Sequence, residues 1–137
     1  MNDAIAQAPP SRFNLAAHLL ARNASRAVRT AYADDRARLS YGELDKRVRQ
    51  FARVLQDSGL RQEERVLLLA HDTVDWPVAF LGCIYAGIVP VAVNTLLTAD
   101  DYAYMLVHSR ARSAIVSEAL LHALTQAPAR EGHAVET

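Results

Sequence analysis

At 137 residues the chain has the length of one domain or of a piece of a larger one. Fifteen Lys and Arg balance fifteen Asp and Glu, so no net field draws it to nucleic acid or to an anionic membrane. Its one cysteine, Cys83, excludes an internal disulfide. The opening MNDAIAQAPPSR has neither the basic n-region nor the hydrophobic stretch of a secretory signal. Residues 1–12 therefore read as a flexible leader, and the cytoplasm is the expected compartment. A short helix is expected from Asn14 to about Ala21, capped by Asn14, with Leu15, His18 and Leu19 on one side. AVRTAYADDRARLSY reads as two short strands around an Asp34-Asp35 turn.

SYGELDKRVRQFARVLQDSG carries the clearest local signal. Ser40 and Glu43 form a capping box, in which each side chain meets a backbone N–H that the first helical turn would leave unpaired. Leu44, Val48, Phe51, Ala52 and Leu55 recur at helical spacing, and Gly59 offers the left-handed stop. The charges of KRVRQFAR, residues 46–53, fall around that stripe as a solvated face. ERVLLLA, 64–70, is a short apolar run suited to a strand covered on both faces. A helix capped by Thr73, with Pro77 inside its first turn, should run to Gly87. IVPVAVN (88–94) is the next strand, then a helix through DYAYMLVHS with Thr98 and Asp101 at its start. SAIVS (113–117) is a further strand and EALLHALTQA a final helix. PAREGHAVET has no periodicity, and residues 127–137 read as a frayed tail. Strands alternating with helices imply an α/β fold with a mostly parallel sheet and right-handed crossovers.

AFLGCIYAGIVPVAVNTLL, residues 79–97, lacks any charge, yet the 16 residues from Val78 to Val93 are too few to span a bilayer as a helix. Gly82, Gly87 and Pro90 divide the run into a helix and a strand of the core. Cys83 sits among aliphatic neighbours and reads as a buried, inert thiol. Gly82 and Gly87 have phosphate-loop spacing, but Ile88-Val89 follow where Lys and Ser or Thr are required. The five histidines, at 18, 71, 108, 122 and 133, show no paired metal spacing. His71-Asp72 lies just past a strand, where open parallel sheets place ligands. It is either a polar pair at a site mouth or a helix cap beside a solvated turn. Trp76 and Tyr85 read as core aromatics, and Tyr102 and Tyr104 cannot share one helix face. No catalytic or metal-binding constellation is visible.

LSYGELDKRVRQFARVLQDSGL, followed by ERVLLLAHDTVDWPVAFLGCIYAGIVPVAVNTLLTADDYAYMLVHSRARSAIVS, resembles the N-terminal part of the adenylate-forming acyl-CoA synthetases. HDTVDW and NTLL stand where general members carry Asn-Ser-Pro-Glu-Trp-like and Asn-Pro-Arg-Leu stretches, and in this they are most similar to the benzoate–coenzyme A ligases. The resemblance implies that residues 13–126 are an incomplete part of the large N-terminal, AMP-binding domain. It implies a complete enzyme that activates an aromatic carboxylate with ATP and Mg2+ as an acyl-adenylate, then transfers it to coenzyme A. A cytoplasmic homodimer is the assembly it suggests. The family's Ser/Thr/Gly-rich loop ending in Lys, its acidic metal motif, its aromatic-acid pocket and its C-terminal Lys are absent from this sequence. These residues alone are therefore expected to bind no cofactor. One loop carries over: Asn94, Thr95 and Leu96 match the Asn-Pro-Arg loop whose Arg reaches a coenzyme A phosphate in some aryl-CoA ligases. Leu96 departs, since leucine cannot pair with phosphate. The alternative reading is a self-contained α/β module that binds a protein partner without catalysis; a stand-alone nucleotide-binding domain is disfavoured by the missing glycine loop.

Overall fold

A computed structural model of the chain describes residues 8–127. The leader reading falls partly, and the tail reading almost wholly, on residues 1–7 and 128–137, which lie outside the described residues. Asn14 caps α1 (Leu15–Arg22) by accepting from the Ala17 N–H, and a 3-10 turn follows at Ala24–Arg26. β1 (Thr30–Ala33) and β2 (Arg38–Ser40) pair as an antiparallel hairpin with a register shift between Thr30 and Tyr32. Then come α2 (Tyr41–Asp57), β3 (Arg65–Leu69), α3 (Asp75–Tyr85), β4 (Val89–Ala92), α4 (Ala99–Ser109), β5 (Ala111–Val116) and α5 (Glu118–Thr125). The expected alternation holds throughout, and the α/β class with it. The second sheet is parallel, in the order β4-β3-β5, with Leu67 level with Val91 on one side and Ala114 on the other.

Both capping boxes form as the spacing requires. Ser40 accepts from the Glu43 N–H and Thr98 from the Asp101 N–H, and each acid returns a bond to its cap. These bonds hold both carboxyls below their ordinary range, the serine and threonine hydroxyls contributing most. Gly59 (φ 87°) and Gly87 (φ 79°) supply the left-handed turns after α2 and α3.

β3 is the centre of the molecule: Val66, Leu67, Leu68 and Leu69 are all fully buried, which requires cover on both faces. Leu44, Val48, Ala52 and Leu55 of α2 turn inward, so the stripe read from the sequence is the one that packs. Leu55 meets Val66, Cys83 and Ile88, with Phe51 and Ile115 at the margin. Cys83 is fully buried, and desolvation pushes its thiol up to about 12, in line with an inert group. Residues 79–97 are thus a helix–strand unit packed on this core. Among the described residues, no helix is long and apolar enough to cross a membrane.

Two local expectations need correction, at Thr73 and at the start of β5, and the packed face of α1 is one that periodicity left open. α1 buries Ala16 and Leu20, leaving Leu15 and Leu19 exposed. Its rotation is set by Asn14, whose Nδ2 donates to the Ile84 and Tyr85 carbonyls at 2.7 and 3.3 Å while Oδ1 caps the helix. That docking turns the small side chain of Ala16 to the contact. Thr73 does not occupy the N-cap of α3, although its Oγ1 accepts from the Asp75 N–H at 3.4 Å; the N-cap is Val74, without a side-chain bond. Its N–H is satisfied from elsewhere, by Asp34. β5 begins at Ala111, because Arg110 in the left-handed conformation (φ 55°) ends α4 and feeds the strand at once.

Candidate functional site

The carboxyl ends of parallel strands are where helix-covered sheets open to ligands. Here a cleft of about 350 Å³ opens at that edge, between α2, α3 and the end of β5. Phe51, Trp76, Val78 and Ile115 supply apolar wall; Arg47, Thr73, Asp75 and Ser117 supply the polar rim. The ring of Trp76 is parallel to that of Phe80, with centroids 5.0 Å apart. Arg47 is ion-paired to Asp75 across the rim, and both remain largely solvated, so the pair contributes little to stability.

The loop from His71 to Val74 forms the lip of this cleft and is fastened at both ends. The His71 N–H donates to Ser117 Oγ at 3.0 Å, joining the ends of β3 and β5. The Val74 N–H donates to Asp34 Oδ2 at 2.9 Å, forty residues away in sequence. Asp34 Oδ1 also accepts from Arg36 and Ala37, which closes the hairpin turn. The Val74 bond, and after it those from Arg36 and Ala37, hold the Asp34 carboxyl below its ordinary value of 3.8. A depressed carboxylate stabilises the fold at all pH above its unfolded value and loses that contribution as pH falls through the folded value. The denaturation midpoint should therefore fall below about pH 4, and Asp34→Asn should flatten that fall. Urea titrations from about pH 6 to about pH 2 measure it; parallel profiles for the two proteins would remove Asp34 from this role.

His71 and Asp72 are themselves exposed, and the wall takes Ala70 and Thr73 instead. The structure thus does not bring them together as a polar pair in the cleft, nor does Asp72 cap α3. Asn94, Thr95 and Leu96 lie past the carboxyl end of β4, across β3 from the cleft. Asn94 Oδ1 accepts from the Leu96 N–H at 2.9 Å, and its carbonyl accepts from the buried Tyr102 hydroxyl at 3.1 Å. Leu96 is 88% exposed. Tyr85 lies under the Arg49 guanidinium, 5.0 Å from its centroid, and Tyr104 stacks on His108; neither reaches the cleft. Sequence reasoning missed Asp34, Arg47 and Ser117. Only the Asp34-Asp35 turn signal marked one of them, and it pointed to the hairpin alone.

Among the described residues, no group of three or more His, Cys, Asp or Glu is placed to hold a metal ion. Fold and cleft together define a parallel α/β framework with an open ligand edge and no reactive constellation of its own among those residues. Residues 19–137 match the family model described as AMP-binding enzyme, and the chain belongs to that family. It is 46% identical to the benzoate–CoA ligase of Thauera aromatica over 115 residues, 82% of this chain and 22% of that protein. It is 41% identical to the 4-hydroxybenzoate–CoA/benzoate–CoA ligase of Rhodopseudomonas palustris over 127 residues, 91% of this chain and 24% of that protein. The crystal structure of a benzoate CoA ligase from Burkholderia xenovorans LB400 superposes with a TM-score of 0.83 at 55% identity, covering 85% of this chain and 24% of the other. The chain thus spans less than a quarter of the length of these relatives.

Proposed function

We propose that the chain is the framework part of an aromatic-acid–CoA ligase acting on benzoate or a close analogue. In the complete enzyme the carboxylate attacks the α-phosphorus of ATP, pyrophosphate leaves, and the thiol of coenzyme A then displaces AMP from the acyl-adenylate. Charge building on phosphate oxygens must be met by fixed donors and Mg2+. The described residues do not fit a magnesium site, since they bring no group of three or more acidic, histidine or cysteine side chains together. What these residues do is hold the carboxyl ends of β3, β4 and β5 and their loops in fixed positions. The observation that carries the reading is the 55% identity to a benzoate CoA ligase at a TM-score of 0.83.

Exchanging this chain for the matching segment of the Burkholderia xenovorans enzyme should preserve benzoate-dependent AMP release. A folded chimera that releases none would overturn the reading. The isolated chain should show no micromolar binding of ATP-Mg2+ or benzoate by titration calorimetry, and clear binding would refute the framework role. The Asn94–Thr95–Leu96 turn, at the same sheet edge as the cleft, is the coenzyme A-proximal loop in this reading. In the chimera, Leu96→Asp should raise the KM for coenzyme A with kcat little changed, because an acid there repels the ligand's phosphates. An unchanged KM would release the turn from that role.

A further inference from the structure

We infer that Tyr102 is a positioning residue, whose hydroxyl holds the turn after β4 in the arrangement that receives coenzyme A. The inference rests on the reading of Asn94, Thr95 and Leu96 as the coenzyme A-proximal turn. Asn94 and Leu96 are exposed, so burial does little to order this segment and hydrogen bonds decide whether it keeps one conformation. Its two ends are fastened. Before it, the Val93 N–H donates to the Leu68 carbonyl of β3 at 3.1 Å. After it, Thr98 and Asp101 close the capping box of α4.

Between these ends the turn is gripped from α4, where the Tyr102 hydroxyl donates to the Asn94 carbonyl at 3.1 Å. Tyr102 is completely buried, so its ring cannot swing away and the hydroxyl reaches the turn from a fixed base. A phenylalanine would fill the same space with no hydroxyl to satisfy; what tyrosine adds is the grip. Holding that carbonyl fixes the ψ angle of Asn94. The Leu96 N–H is thereby kept against Asn94 Oδ1, at 2.9 Å. A turn that is ordered for only a fraction of the time binds with its affinity lowered by that fraction. The step after binding is untouched, so loss of the grip should appear in KM for coenzyme A and not in kcat.

In the full chain, Tyr102→Phe should speed hydrogen exchange of the Leu96 N–H roughly fivefold, the equilibrium worth of one hydrogen bond. The Asp101 N–H, held in the capping box, should exchange as in the parent. In the chimera with the Burkholderia xenovorans enzyme, the same change should raise the KM for coenzyme A about two- to fivefold with kcat unchanged. Tyr104→Phe is the control: its side chain is exposed on the same helix, and both readouts should match the parent. Asn94→Ala removes the acceptor within the turn without touching the core. It should raise the KM likewise, which keeps the test decisive if Tyr102→Phe fails to fold. Unchanged exchange at Leu96 overturns the inference, as does a Tyr102→Phe enzyme that loses kcat at constant KM. If Leu96→Asp raises the KM while Tyr102→Phe and Asn94→Ala do not, the reading of the turn stands and the positioning role falls. If none of the three moves it, both fall.

Discussion

Replacing Leu67 by alanine is expected to cost about 2–5 kcal/mol, the range for truncating a fully buried leucine. Leu67 is completely inaccessible at the middle of β3, which is paired with β4 on one side and β5 on the other. Its removal loses both the transfer free energy of the side chain and the contacts of the walls left behind, since a strand held in two ladders cannot collapse into the gap. Domains of this size are stable by only about 5–15 kcal/mol, so the loss is a large share of the total. Urea denaturation should show a lower midpoint with an unchanged slope. Leu121→Ala is the control: that side chain is 50% exposed on α5, and the change should stay within about 0.5 kcal/mol. Equal effects at the two positions would mean that β3 is not the core.

Gly82→Ala is expected to cost about 1–3 kcal/mol by overpacking. A Cβ at position 82 would lie 2.7 Å from Cδ1 of Phe51 and 3.3 Å from its Cβ. α2 and α3 can approach this closely only because residue 82 has no side chain. Phe51 cannot retreat freely, since it is packed against both clusters of the α2–α3 side. Its ring also forms part of the cleft wall, so relief would reshape the proposed ligand edge. The cost should shrink in a Phe51→Leu background, and a double-mutant cycle by urea denaturation reads the coupling directly. Additive effects would show that the helices separate by another route. Helix propensity alone predicts the opposite sign, because alanine is the better helix former by about 1 kcal/mol; steric contact decides the outcome.

Helices and strands whose signals are local were legible before any coordinates. Ser40 with Glu43, and Thr98 with Asp101, cap their helices because the partners are three residues apart. The stripe from Leu44 to Leu55 packs inward because helical periodicity is built into the sequence. Which face of α1 packs was not legible, since periodicity placed Leu15, His18 and Leu19 on one side without saying which side is buried. Its true orientation comes from Asn14 bonding to carbonyls of α3, about seventy residues on. Thr73 stands one residue short of the α3 N-cap, and the Val74 N–H there is met by Asp34 from the hairpin. The family itself was legible, because it rests on long runs of residue identity. The cleft was not, since its wall is drawn from α2, α3 and β5.

By itself the sequence determined the alternation of elements, the capped starts of α2 and α4, the burial of β3 and membership of a family of ligases. Those follow from contacts within a few residues or from the order of residue types. Only the tertiary structure decided which face of α1 is buried and that Asp34 and Ser117 fasten the loop after β3. Each of these depends on groups far apart in the chain meeting at hydrogen-bond distance, and chain order carries no record of that.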